Sequence, residues 1–72
     1  MFIILEFQIQ QDGTVAIVPP VQKSDWFEAQ SAFLQAASYA AVSKLPKHTV
    51  VLMDEEGTFL DKKCFEHGNE GN

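Results

Sequence analysis

The chain reads as an α+β fold of order ββαββ, a four-stranded antiparallel sheet with one helix on one face. Three features predict it. Period-two apolar alternation opens the chain, a helical segment fills its middle, and two short Gly-containing turns each separate a pair of strand-like runs. Such an order closes an antiparallel sheet against a single helix.

Residues 2–10, "FIILEFQIQ", place Ile3, Leu5, Phe7 and Ile9 on one side and Phe2, Ile4, Glu6, Gln8 and Gln10 on the other. Alternation of that length is a strand signal. "QDGT" at 11–14 supplies the Asp-Gly chemistry of a tight hairpin. "TVAIV" continues as a second strand, which Pro19-Pro20 is expected to end by removing two backbone donors.

Ser24 or Asp25 caps a helix, and Asp25 with Glu28 three residues on approximates a capping box. The helix is expected to run to about Lys44, with Pro46 stopping it. One half of its circumference holds Trp26, Phe27, Ala29, Phe33, Leu34, Ala36, Ala37, Ala40, Ala41 and Leu45. Alanines there let the helix axis sit close to the sheet, with Trp26, Phe33 and Leu34 filling the gaps. "HTVVLMD" at 48–54 is apolar from Val50 to Met53 without alternation, as in a strand covered on both faces. "DEEG" at 54–57 turns the chain, and "TFLDKKCF" at 58–65 follows as a more polar edge strand whose lysines discourage further pairing. A right-handed return through the helix predicts the sheet order 2-1-3-4. Residues 1–67 then form one domain, and 68–72 a frayed tail.

At 72 residues, such a chain is near the size where one core supplies only ~3–5 kcal/mol. Cys64 is its single cysteine, so no disulfide can form within one chain. A lone thiol suits a reducing compartment, and "MFIILEF" lacks both a basic start and the length of a membrane span. The expectation is a cytoplasmic protein that binds neither membrane nor nucleic acid. A net charge of −5 with five Lys and Arg is poorly suited to phosphate backbones.

Chemistry has few candidates. Cys64 and His67 have C-x-x-H spacing, and His48 could lie on a neighbouring strand. A zinc site wants four ligands, and only three are on offer unless Asp54 or Glu66 joins. Cys64 with a histidine base could act as a nucleophile, but its flanks hold no glycine-rich elbow or helix N-terminus. Asp54, Glu55 and Glu56 lack the spaced oxygens of a calcium loop. No catalytic residue and no cofactor is expected. These acids could still present a small inhibitor to a basic site on a host enzyme, and Cys64, His67 and His48 a metal or small ligand.

The stronger signal is uncovered apolar surface. Between Glu28 and Lys44 the helix carries no charge, and Tyr39 and Val42, with Gln35 and Ser38, lie on its outer side. Across the sheet, Phe2 and Ile4 are expected to face away from the helix, with Val18 or Leu52 as further candidates. One helix covers only one face of a sheet. A chain short of core with two apolar surfaces buries them most simply against itself, as a homodimer or higher even oligomer. Tyr39, Val42, Gln35, Ser38, Phe2 and Ile4 are the candidate interface residues.

The strand ending in "QDGT", the helix start "EAQSAF", the run "AASYAAVSKLPKHTVVLMDEEG" and the terminal "CFEH" together resemble short proteins of phages and prophages of Gram-positive gut bacteria. The resemblance covers most of the chain. It implies a small phage-associated accessory protein and supplies no catalytic residues.

Overall fold

A computed structural model describes residues 1–67; the expected tail at 68–72 lies outside the described residues. The elements are β1 (Phe2–Ile9), β2 (Val15–Lys23), α1 (Trp26–Ala41), β3 (Lys47–Asp54) and β4 (Phe59–Glu66). The strands form one sheet in the order β2-β1-β3-β4, antiparallel throughout, with the strands that hold the buried Ile4, Val50, Val51 and Leu52 in the centre. This is the ββαββ fold and the strand order expected from the sequence.

The two hairpins turn in the same way. Gln10 N–H donates to the Thr14 carbonyl (2.8 Å) and Gly13 N–H to the Gln10 carbonyl (2.9 Å); Asp54 N–H and Gly57 N–H repeat this with the Thr58 and Asp54 carbonyls, at 3.0 Å each. Both glycines have positive φ, 88° at Gly13 and 90° at Gly57, where a side chain would be strained. The loops therefore fix the hairpin registers, Ile9 opposite Val15 in one and Met53 opposite Phe59 in the other.

β2 does not stop at its prolines. It runs on to Lys23, and its register against β1 steps between Ile4 and Glu6, so that Val18 faces Glu6 and Val21 faces Ile4. Pro19 and Pro20 occupy that irregularity on an edge strand, where missing donors interrupt few ladder bonds.

Asp25 caps α1 by accepting from Glu28 N–H at 2.9 Å. The helix ends three residues short of Lys44. Val42 N–H and Ser43 N–H bond to the Tyr39 and Ala40 carbonyls (3.2 Å each), a tightened last turn, and the Ser43 hydroxyl then accepts from Leu45 N–H. Ala29, Phe33, Ala37 and Ala40 are its buried residues. Ala29, Phe33 and Ala40 pack on Ile4, Val50 and Leu52, with Phe2, Ala32, Ala36 and Phe65 at the margin. The alanine strip does bring α1 close to the sheet, but it is narrower than the sequence suggested. Phe27 is 75% exposed and Leu34 56%. They are seven residues apart on one flank, beyond the reach of the strands. Trp26 is half out of the core and rests on Phe2, ring centroids 5.2 Å apart.

Candidate functional site in the uncovered sheet face

Directly opposed residues of antiparallel strands project to the same side of a sheet. Ile4 pairs with Leu52 and Glu6 with Val50, and all but Glu6 belong to the core beneath α1. Phe2 and Ile4 thus lie on the helix side, with Ile4 buried. The expectation that they face away from the helix is overturned, and so is the suggestion that Val18 or Leu52 joins them, since Val18 stands opposite Glu6.

The reversal leaves the more apolar side of β1 uncovered. Ile3, Leu5, Phe7 and Ile9 project there and are half-buried by their neighbours. The hairpin registers add Ile17 opposite Phe7, Val15 opposite Ile9 and Phe59 opposite Met53. Ile17 and Phe59 are each 64% exposed. Charge on this side is confined to its margin: Lys47 pairs with Glu66 (3.6 Å) at one corner, and Lys62 lies on edge strand β4. The clue in the sequence is the purer alternation of the odd-numbered β1 residues, Ile3, Leu5, Phe7 and Ile9.

The helix side carries the polar residues instead. Glu6 and His48 meet beneath α1, the His48 Nε2 against a Glu6 carboxylate oxygen, and His48 is 4% exposed. Its Nδ1 is buried without a partner. A buried nitrogen of that kind costs free energy. The pair has the form of a base and its orienting carboxylate, but the candidate nucleophile Cys64 does not lie beside it. Cys64 stands opposite Thr49, on the far side of the sheet from His48, and its Sγ accepts from the Thr49 hydroxyl at 3.3 Å. His67 is engaged elsewhere: its Nδ1 meets the Leu45 carbonyl (2.9 Å) and its Nε2 the Ala41 carbonyl (3.2 Å), at the helix C-terminus. Cys64, His67 and His48 are therefore not brought together. Among the described residues, no three of His, Cys, Asp and Glu converge as a metal set.

The acidic turn is largely occupied with its own structure. The Asp54 carboxylate accepts from Glu56 N–H and Thr58 N–H (2.9 Å each), and Glu55 pairs with the N-terminal amine at 3.0 Å. In the other hairpin, Asp12 accepts from the Thr14 hydroxyl (2.7 Å) and amide (3.0 Å). The hydroxyl bond foremost, then the amide bond, holds the Asp12 carboxyl below its usual range.

On the outer side of α1, Tyr39 and Val42 are exposed as expected, with Gln35 and Ser38 exposed beside them; the Ser38 hydroxyl donates to the Gln35 carbonyl. A shallow hollow beside them is lined by Lys23, Glu28, Ser31, Ala32 and Gln35. No helix among the described residues is long and apolar enough to cross a membrane. The chain matches no protein-family model, no curated protein and no solved structure.

Proposed function

We propose that the chain is a non-catalytic protein-interaction and assembly module working in the cytoplasm through its uncovered sheet face. One observation carries the reading. The most regular apolar surface of the molecule, Ile3, Leu5, Phe7 and Ile9 extended by Val15, Ile17 and Phe59, lies on the side the helix leaves open. Contiguous apolar surface of that extent on a small chain marks an interaction site. The margin is polar and the middle is free of charge, the usual anatomy of a protein interface. An accessory protein that works by binding also suits the resemblance to phage and prophage proteins. A metal or thiol chemistry finds no support in the separation of Cys64, His48 and His67. The inhibitor reading is weakened by the engagement of Asp54 within the turn and of Glu55 with the N-terminal amine.

The test is a photo-crosslinking amino acid placed at Ile17 on the open face and, separately, at Ser31 on the outer side of α1. In the cells that make the chain, position 17 is expected to form a covalent adduct with a protein, and position 31 little or none. No adduct from position 17, or adducts from position 31 alone, would overturn the reading.

A further inference from the structure

We infer that the occupant of the open face is a second copy of the chain, packed sheet on sheet about a two-fold axis, with the two helices outermost. The inference rests on the reading of that face as an interaction surface and adds the partner.

Area is the first argument. Strands of eight and nine residues, at about 3.3 Å per residue and with four of them about 4.8 Å apart, span roughly 500 Å² in projection. Two such faces bury roughly 1,000 Å² before side-chain relief is counted, which reaches the threshold for specific association. The helix surface offers no comparably continuous patch, since its exposed Phe27, Leu34, Val42 and Tyr39 are interleaved with Ser31, Gln35 and Ser38.

Charge is the second argument. An isologous interface sets each residue near its own symmetry mate along the axis, so a self-pairing face must keep like charges off its centre. Leu5, Phe7 and Val51 occupy the centre here. Lys47 is neutralised locally by Glu66. An axis running along the strands lays β4 of one copy over β2 of the other, which keeps Lys62 away from its mate. The sheets then stack as an aligned sandwich.

The sheet edges supply the third argument. Pro19 and Pro20 interrupt the β2 edge, and Lys62 and Lys63 guard the β4 edge. Strand addition is disfavoured at both, and face-to-face packing remains. It also adds a second core to a chain whose largest fully buried side chains are Phe33, Leu52 and Val50.

Cys64 reports on the arrangement without any substitution. It lies on the open face and is exposed in a single copy, so pairing should shield it. The experiment follows sedimentation equilibrium and the rate of Cys64 alkylation by iodoacetamide together, on the purified chain over about a hundredfold range of concentration. Wild type is expected to reach twice the chain mass, with alkylation slowing in step. Ile17→Lys, at an exposed site whose change removes no core contact, is expected to weaken pairing by about tenfold or more. Tyr39→Glu on the helix should leave pairing unchanged, and circular dichroism confirms that each variant is folded. A single-copy mass throughout would overturn the inference, as would dissociation by Tyr39→Glu but not Ile17→Lys, or alkylation equally fast in the paired state. Where a single-copy mass accompanies an Ile17 crosslink to a different protein, the interaction reading stands and self-pairing falls. Where no crosslink forms either, both fall.

Discussion

The two faces of this sheet invert the usual allotment of side chains. The covered face holds Ile4, Val50 and Leu52 together with a carboxylate and an imidazole, Glu6 and His48. The open face is apolar along the whole of β1 and holds its charges at the rim. Counting apolar residues on each side of β1 therefore picks the wrong side as core. Burial follows the side on which the connection from β2 to β3 lays the helix. A pattern within one strand shows that its faces differ, but not which of them the helix meets.

The largest effect that can test the contrast compares one isoleucine from each face. Ile4→Ala removes a buried side chain beside Phe33 and Leu52. It should cost about 2–5 kcal/mol, enough to unfold much of a chain with only ~3–5 kcal/mol to lose. Ile17→Ala in dilute solution should stay within about 0.5 kcal/mol of wild type. At concentrations where copies pair, the same change should lower the urea midpoint measurably. Equal losses from both substitutions in dilute solution would break the distinction between the faces.

A smaller effect concerns the polar pair under the helix. Glu6→Leu leaves His48 buried with neither ring nitrogen partnered, and should destabilise by about 3 kcal/mol. The double change Glu6→Leu with His48→Leu removes the whole polar burden, and its cost should be far below that of Glu6→Leu alone. A double-mutant cycle in urea measures the difference. If the double variant is as unstable as the single one, the pair is not what makes the covered face costly, and a role for the His48 ring in packing would replace it.

Much of the fold was legible in the sequence because its signals are local. Gly13 and Gly57 mark both hairpins, Asp25 marks the helix start, and the continuous apolar run from Val50 to Met53 identifies a central strand. The errors have non-local causes. Pro19-Pro20 reads as a strand end because local chemistry removes donors; an edge position and a register step made the prolines tolerable. Phe27 and Leu34 read as core because helical periodicity counts a half-circle, whereas α1 buries only the narrower strip from Ala29 to Ala40. The candidate site suffered most. Phe2 and Ile4 read as open-face residues and belong to the covered face, while Val15, Ile17 and Phe59 join the odd-numbered β1 residues on the open one. One residue of phase decides between those assignments.

That phase is set at the β1–β2 loop, which is where the smallest effect lies. Asp12 holds the loop through the Thr14 hydroxyl and amide, and the loop holds Val15 and Ile17 on the same side as Ile9 and Phe7. Because the Asp12 carboxyl is held below its usual range in the folded chain, its contribution to stability is fully present above the ordinary carboxylate value. It is lost as pH falls through the lowered folded value. Thr14→Val deletes the hydroxyl, the larger cause, and keeps the amide bond. In a titration followed by nuclear magnetic resonance, the Asp12 carboxyl of Thr14→Val should move back up toward the ordinary value without fully reaching it. The loop is solvent-exposed, so the acid limb of the stability curve should shift only slightly. Cross-strand contacts between Ile9 and Val15 should persist, because Gly13 and the backbone bonds of the loop still fix the register. A titration unchanged by Thr14→Val would show that the hydroxyl does not hold the carboxyl. Loss of the Ile9–Val15 contacts would show that a single side-chain bond in this loop sets which apolar residues reach the open face.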